Sequence, residues 1–470
     1  MKLPWKLPVL GSLLGITAAF SPGGVFVLFV AAATCLALHR FAPPKDRTFL
    51  IHLFLIAFCL RVGLSICLDL GSWKAEGHLP AQWGPPKAWD LGISDKTRAY
   101  LRLGDSDYYS ERGYCLAHFA GGNRAVTALR RIQMYGYHSY LLVIGWFYYT
   151  FGFSPFSVKW LNGWFGALHA LAIFFLTKSC FQSRIARWAG GLVAVFPTLA
   201  VWSASNLKDP LFYLLITLLM LLFMALRARP RTWRAVVCVG ISLLLFWVVK
   251  ELGRTEFSLV LAGCLLAAFG LEWCVHRRWY AALLLAAVVG MSLNPWTKVK
   301  GAIDYAIYRH MGYNQTYSMT YRYLPDRFYG TPGSSQVGVS NPMETAPLEV
   351  LGRIPLAIEY YFLQPFPYRT VGGLPMLMIP QMVLWYFLLP FALVGIAAGV
   401  RWNTWNCGFL AAVLLVWVLM GALSIGNVGI LIRMRDMTTP IVLIFAAAGF
   451  WVFGRGREGF SQEAPDSAPG

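Results

Sequence analysis

The chain has 470 residues, of which 57% are hydrophobic and 13% are charged. A soluble domain has about 25% charged residues, so this composition excludes an ordinary soluble protein and indicates an integral membrane protein. The formal charge of +19 does not indicate a nucleic-acid partner, because most Lys and Arg residues lie in short segments beside apolar runs, where they set membrane orientation.

The nine cysteines form neither a readable disulfide framework nor a CxxC metal motif. Only Cys115 falls in a long polar stretch. The first forty residues carry Lys2 and Lys6 and then an apolar run that is too long for the core of a signal peptide. We expect them to be retained membrane sequence.

A membrane-spanning helix needs about 20 apolar residues. Two short apolar halves, 7–20 and 25–38, are separated by Ser-Pro-Gly-Gly and form either one kinked helix or a hairpin. The other candidate spans are residues 48–68, 154–177, 187–204, 210–226, 235–249, 257–275, 279–293, 374–400, 405–423 and 437–453. The sequence therefore predicts an all-α, polytopic membrane helix bundle with about 10 to 12 transmembrane helices.

Lys and Arg residues concentrate in alternate short loops, which predicts that these loops are cytoplasmic. This orientation requires that residues 140–151 do not span the membrane, and this ring-rich run of about a dozen residues suits an interfacial helix. The long polar stretches 69–153 and 294–373 then lie on the non-cytoplasmic side. The short loops that mix acids with bases lie there too: Lys208-Asp209, Lys250-Glu251, Arg254-Thr255-Glu256 and Arg433-Met434-Arg435-Asp436.

The polar loop Gly104-Asp105-Ser106-Asp107-Tyr108-Tyr109 places two carboxylates and two phenols together. Glycosyl transfer from a lipid phosphate needs a carboxylate that takes the acceptor proton, which Asp105 or Asp107 supplies. It also needs cations for the departing phosphate, and the candidates are Lys208, Lys250, Arg254, Arg433 and Arg435. The expected substrate-binding residues are Tyr108, Tyr109, Asp209, Glu251 and Glu256.

Each candidate also has a purely structural interpretation. Asp105 and Asp107 suit solvated turn positions, and Asp209 suits a helix cap with Pro210 in the first turn. Lys250 and Glu251 suit a neutralising pair at a helix end, and the two arginines of Arg433-Met434-Arg435 suit contacts with lipid headgroups. Arg61 lies inside a span, so it needs a partner or water, and Asp69 is too far along the helix to be the obvious partner.

The late polar stretch contains apolar residues at near-helical spacing over 348–362, followed by Gln364-Pro365-Phe366-Pro367-Tyr368. This pattern predicts an interfacial helix that ends in a proline turn. A plain surface helix that packs on the bundle is equally consistent with it.

The chain resembles the GT-C glycosyltransferase superfamily over about residues 48–455, and specifically the bacterial branch related to the protein O-mannosyltransferases and the lipid A aminoarabinose transferases. The residues that carry the resemblance are a helix ending in Arg61, the Gly104–Tyr109 motif, Phe151–Ser154 with Lys159 and Asn162, Phe196-Pro197 leading to Ser203 and Lys208-Asp209, Arg254–Glu256, and Gly429–Arg435. Their order and their shared side of the membrane are more specific than any one motif.

The resemblance implies a catalytic cavity at the outer face of a bacterial inner membrane, inverting transfer, and a polyprenyl-phosphate-linked sugar donor. The acceptor is lipid-linked or belongs to the cell envelope. Asp105 matches the first-outer-loop acid of the superfamily and Asp209 a second-loop acid. In several branches the first acids are an adjacent Asp-Glu pair, whereas here Ser106 separates Asp105 from Asp107. A divalent metal, Mg or Mn, is compatible with these acids and is not required by them.

The apolar pattern and the extent of the resemblance together predict three parts of the chain. Residues 1–47 form an N-terminal membrane segment with a cytoplasmic linker, residues 48–455 the catalytic domain, and residues 456–470 a disordered cytoplasmic tail.

Two other functions stay open. An O-antigen polymerase or ligase would use basic residues of the late outer loop, namely Arg309, His310, Arg322 and Arg327. A lipid or sugar transporter would line a path through the bundle with charges, but Arg61 is nearly the only charge in mid-span.

Overall fold

The computed structural model of this chain describes residues 21–76, 106–120, 139–227, 232–252, 355, 358–365, 379–423 and 428–455. In these segments the backbone is helical apart from short turns, and they contain no β-strand. The predicted all-α fold is therefore confirmed for the part of the chain that the structure describes.

Twelve helices are defined within these segments. They are α1 (Pro22–Phe41), α2 (Pro44–Glu76), α3 (Ser106–Ala120), α4 (Ser139–Phe151), α5 (Pro155–Cys180), α6 (Ser183–Val195), α7 (Pro197–Ser203), α8 (Asp209–Arg227), α9 (Thr232–Leu252), α10 (Ile379–Trp402), α11 (Thr404–Leu423) and α12 (Val428–Arg455). Six of them, α1, α2, α5, α8, α10 and α12, contain a segment long and apolar enough to cross a membrane. The bent pair α6 and α7 forms a seventh if it is one span. The protein is thus a multi-pass membrane protein.

Several helix boundaries differ from those predicted. The span predicted over 48–68 belongs to the longer helix α2, which runs from Pro44 to Glu76, and Arg61 lies in the middle of it. The Gly104–Tyr109 motif is not a continuous loop, because α3 begins at Ser106. The single span predicted over 187–204 is two helices bent by 56° at Phe196. Pro197 explains the bend, since proline has no backbone N–H and its ring clashes with the preceding turn.

Two predicted features agree where they are described. The apolar run at 140–151 forms α4, whose 13 residues are too few to cross a bilayer. In the predicted interfacial stretch 348–362, residues 358–363 are helical. The candidate spans 7–20, 257–275 and 279–293 lie outside the described residues.

The chain divides into two compact units. Unit 1 comprises Met1–Ala172 and Gly190–Thr217, and unit 2 comprises Ile173–Ala189 and Leu218–Gly470. In unit 1, α2 packs against α1 and α7, and α3 packs against α4. The N-termini of α1 and α5 meet through buried serines, since Ser21 Oγ lies 3.1 Å from Ser154 Oγ.

In unit 2, α10, α11 and α12 pack against one another. α10 and α12 cross closely at two glycines. A Cβ added to Gly395 would overlap the carbonyl oxygen of Phe445, and one added to Gly449 would overlap that of Phe391. The backbones can approach this closely only because neither residue has a side chain.

Candidate functional site

A buried ion pair links α2 to α5 in unit 1. Lys159 Nζ donates to Asp69 Oδ1, and the two residues are only 8% and 7% exposed. Asp69 lies beyond the mid-span Arg61 towards the C-terminus of α2, and Lys159 lies near the N-terminus of α5. The pair therefore joins two helix ends that the sequence predicts on the non-cytoplasmic side. Asp69 Oδ2 has no hydrogen-bond partner within the described part of the chain.

Asn162, one turn after Lys159, holds the turn between α7 and α8. Its side chain is fully buried. Its Nδ2 lies 2.7 and 2.8 Å from the carbonyl oxygens of Ser205 and Leu207, and 2.8 Å from the Tyr140 hydroxyl. These carbonyls lie outside any helix, and the Asn162 amide donates to both of them. The Ser205 carbonyl also accepts the Leu207 N–H at 3.0 Å within the turn.

Asn206, inside the same turn, connects it to α3 and α4. Its backbone N–H donates to Ser106 Oγ at 3.1 Å, and its Nδ2 donates to Ser110 Oγ at 2.7 Å. Its Oδ1 accepts a hydrogen bond from the Tyr140 hydroxyl at 2.9 Å. Asn206 is fully buried, so these bonds satisfy polar groups that water does not reach.

The first turn of α3 is thereby attached to the turn that precedes α8. Asp107 and Tyr108 belong to that first turn, but their side chains, like the whole of Asp105, lie outside the described residues. Tyr109 is buried, with its ring edge-on to Tyr140 at a centroid distance of 5.4 Å.

Asp209, three residues after Asn206, begins α8. It is 4% exposed, and Lys208 before it is half-buried. The Lys208 carbonyl accepts the Phe212 N–H at 3.1 Å, so it starts the hydrogen bonding of α8. Within unit 1, Ser106 of the predicted motif 104–109 is therefore bonded to Asn206, which lies two residues before Lys208.

The other predicted residues belong to unit 2. Lys250 and Glu251 lie in the last turn of α9, with side chains outside the described residues, as are Arg254 and Glu256 entirely. Arg433 and Arg435 lie in α12, where Arg433 is half-buried and Arg435 is 1% exposed.

Arg435 is engaged by the protein. Its Nη1 donates to the Gln364 carbonyl at 2.6 Å, and its Nη2 lies 3.2 Å from the sulfur of Met382. The guanidinium carbon lies 5.1 Å from the ring centroid of Trp385, in cation–π geometry. Arg435 therefore attaches the segment that follows helical residues 358–363 to α12 and α10.

Tyr361 provides a second attachment of this segment to α12. Its hydroxyl lies 3.0 Å from the Met434 carbonyl and 2.8 Å from Thr438 Oγ1. Burial raises the pKa of the Tyr361 hydroxyl above its usual value, so the phenol stays protonated and can donate. Residues 358–365 of the late polar stretch are thus held in unit 2 by contacts with Arg435 and by the Tyr361 hydroxyl.

Sequence reasoning missed Asn206, Ser110 and Tyr140. The available signal was the polar run Ser203-Ala204-Ser205-Asn206 between two apolar segments, since buried polar groups in a membrane protein need partners. Within the described residues, no group of three or more His, Cys, Asp or Glu side chains could hold a metal ion. Asp105 and the side chain of Asp107 lie outside the described residues, so this finding does not bear on a metal at those acids.

No known protein family matches the sequence, and no curated protein matches it either. Among solved structures, the chain is similar to the archaeal oligosaccharyltransferase AglB from Archaeoglobus fulgidus in complex with an inhibitory peptide and a dolichol-phosphate. The identity is 14% and the TM-score 0.47, over 87% of this chain and 51% of that one.

Two further structures of the Archaeoglobus fulgidus oligosaccharyltransferase are similar to the chain. The apo form has 12% identity and a TM-score of 0.43, over 83% of this chain and 50% of that one. The form tethered to an acceptor peptide with the NVT sequon has 12% identity and a TM-score of 0.47, over 86% of this chain and 49% of that one. The chain spans about half the length of these proteins, and no residue role transfers at this level of likeness.

Proposed function

We propose that this protein is a membrane glycosyltransferase of the GT-C type. It moves a sugar from a polyprenyl-phosphate donor to a lipid-linked or cell-envelope acceptor at the non-cytoplasmic face, with inversion. The observation that carries the proposal is the hydrogen bonding of Asn206 to Ser106 and Ser110. It joins the two acid-bearing motifs that the sequence singles out for this chemistry.

The candidate acids lie close in sequence to the residues that make these hydrogen bonds. Asp105 and Asp107 are the immediate neighbours of Ser106, and Asp209 is three residues after Asn206. We assign Asp105 as the base, with Asp107 as the alternative. The base takes the proton of the acceptor hydroxyl while the acceptor oxygen bonds to the anomeric carbon of the sugar. The bond from that carbon to the phosphate oxygen breaks, and the polyprenyl phosphate leaves with the electron pair.

The departing phosphate needs positive charge. On sequence grounds we assign this role to basic residues predicted on the same side of the membrane, namely Lys208, Lys250, Arg254, Arg433 and Arg435. Of the last two, Arg433 is the better candidate for direct contact, because it is half-buried whereas Arg435 is only 1% exposed. Arg435 already donates to the Gln364 carbonyl and lies over Trp385.

The remaining assignments concern the substrates. Tyr108, Asp209, Glu251 and Glu256 are proposed to contact sugar or acceptor hydroxyls. Tyr109 packs edge-on against Tyr140 in the buried network, so we expect it to act mainly by shaping the wall of the site.

The polymerase or ligase alternative depends on Arg309 and His310, which lie outside the described residues. The transporter alternative draws on the mid-span cation Arg61. In the structure Arg61 bonds to backbone carbonyls, as a structural residue would.

The proposal is tested by transfer of radiolabelled sugar from polyprenyl-phosphate mannose and polyprenyl-phosphate aminoarabinose in membranes that carry the protein. Asp105→Asn is expected to lower the rate by about 100-fold or more, the usual contribution of a general base. Glu359→Gln, an exposed acid in unit 2, serves as the control at matched expression. Full activity in both Asp105→Asn and Asp107→Asn, with loss in Arg309→Ala or His310→Ala, would instead identify a polymerase or ligase.

A further inference from the structure

The break between α6 and α7 leaves backbone carbonyls without their usual donors. In a continuous helix the Val193 carbonyl would accept the N–H of residue 197, but that residue is proline. Val193 and Ala194 both lie in the last turn of α6, whose carbonyls have no donor within their own helix unless the chain continues it. In a membrane protein such carbonyls need another partner.

Arg61 of α2 supplies that partner. Its Nη1 lies 2.8 Å from the Ala194 carbonyl and 2.9 Å from the Ala57 carbonyl of its own helix. Its Nη2 lies 3.4 Å from the Val193 carbonyl, a longer and weaker contact. The planar guanidinium carries several donors in fixed directions, which lets one side chain reach two consecutive carbonyls and its own helix at once.

The surroundings of Arg61 are shaped for this geometry. Arg61 is 1% exposed, and no carboxylate contacts its guanidinium within the described part of the chain. Gly166 of α5 faces it, and a Cβ at that position would overlap both Arg61 Nε and Ser203 Oγ. Because Gly166 has no side chain, Arg61 and Ser203 at the end of α7 can both pack against α5 at this position.

The consequence extends to the candidate site through α7. This helix has only seven residues, from Pro197 to Ser203, and the turn that contains Asn206 and leads to Lys208-Asp209 follows it directly. The bend at Phe196 sets the direction in which α7 leaves α6, and α7 leads directly into this turn. The bend therefore contributes to the position of Asp209 relative to the first turn of α3, together with the hydrogen bonds of Asn162 and Asn206.

We propose that Arg61 is a positioning residue for the transfer reaction, which acts by holding the α6–α7 break at its observed bend. The part that concerns catalysis rests on the proposed function. The role depends on the donor geometry of the guanidinium, and Lys, which carries a charge without the planar fork, is not expected to replace it. A residue that acted only through its positive charge would tolerate Lys.

The first measurement is amide hydrogen exchange of the full-length protein in detergent, which requires no substrate. In Arg61→Gln and Arg61→Lys, exchange in residues 203–209 is expected to accelerate about tenfold or more, the effect of losing a hydrogen bond to a charged group. Exchange in α11, residues 404–423 of unit 2, is expected to stay unchanged. Wild-type exchange in Arg61→Lys, or equal acceleration in every helix of either variant, would overturn the proposal.

The second measurement is a double-mutant cycle with Pro197→Ala, which restores an N–H donor for the Val193 carbonyl. If Arg61 acts through the break, the two changes should not be independent. The fold change in the exchange rate of residues 203–209 in the double variant should then differ by about threefold or more from the product of the fold changes in the two single variants. Multiplicative effects would contradict the proposal.

Transfer from the same polyprenyl-phosphate donors provides the third measurement. In Arg61→Lys, kcat is expected to fall about tenfold or more at unchanged donor KM, because a displaced turn affects the reacting geometry more than the initial contact. A raised donor KM at unchanged kcat would contradict positioning. If the wild type transfers no sugar, the proposed function fails, while the exchange data still decide whether Arg61 holds the break.

Discussion

The backbone N–H of Asn206 donates to Ser106 Oγ across 3.1 Å, although 100 positions separate the two residues along the chain. Ser106 lies between Asp105 and Asp107, and Asn206 lies just before Lys208-Asp209. One hydrogen bond thus joins the chain segments that carry the two motifs assigned to the proposed glycosyl transfer. Asn162 and Tyr140 complete the network around it.

Replacing Asn206 with Ala should destabilise the protein and abolish transfer. The change removes the acceptor of the Tyr140 hydroxyl and the donor to Ser110 Oγ, and a buried polar group left without a partner costs about 1 to 3 kcal/mol. Thermal unfolding in detergent and sugar transfer measure the two effects. The matched control is Asn406→Ala, which loses a 2.8 Å bond to the Ser179 carbonyl in unit 2. Equal transfer by the two variants would show that the network does not serve the site.

Replacing only one residue of the Lys159–Asp69 pair should lower the free energy of unfolding more than replacing both. Lys159→Met leaves a buried carboxylate without its cation, and Asp69→Leu leaves a buried cation, each at a cost of about 3 to 5 kcal/mol. The double variant should recover most of that stability. Denaturant unfolding of the four proteins tests this, and a double variant less stable than both single variants would contradict it.

Gly395→Ala should destabilise unit 2, because the new methyl group would overlap the Phe445 carbonyl at the crossing of α10 and α12. The expected loss of unfolding free energy is about 1 to 3 kcal/mol, the usual cost of overpacking. Gly408→Ala in α11 is the control, since a Cβ there meets no atom within 4 Å. Equal melting temperatures for the two variants would argue against the close crossing.

Tyr361→Phe should loosen the attachment of residues 358–365 to α12. Loss of the hydroxyl leaves the Met434 carbonyl and Thr438 Oγ1 without this partner, at a cost of about 1 to 2 kcal/mol. Tyr149→Phe is the control, because Tyr149 is 60% exposed. Proteolysis between residues 345 and 378 reports the attachment directly. Identical cleavage rates in the two variants would contradict it.

The fold class followed from hydrophobic patterning, and so did the bounds of α1, α5, α8, α9 and α11 to within three residues. The span predicted at 154–177 is α5, Pro155–Cys180, because a run of about 20 apolar residues is a strong and local signal. The α6–α7 break was missed at Pro197, since proline in a membrane helix is compatible with a continuous helix when neighbouring groups satisfy the freed carbonyls. Whether a neighbour does so depends on Arg61, which is 136 positions away.

The site was predictable only in part. Acids and bases in polar stretches indicated Asp105, Asp107 and Asp209, because charge beside apolar sequence is conspicuous. Asn206 and Ser110 were not identified, since their roles depend on contacts between segments that are distant in sequence. Arg435 was assigned to phosphate from its charge, and its burial against Trp385 and its bond to Gln364 depend on tertiary packing that the local sequence does not show.

The most direct test of the account is the rate of sugar transfer by Asp105→Asn, Asp209→Asn and the double variant in matched membranes. If the motifs joined by Asn206 form one site, each single change should slow transfer by about 100-fold, and the double variant should be little slower than the worse single one, because groups that act as a unit are not additive. Losses that multiply, or single variants with wild-type rates, would contradict a shared site.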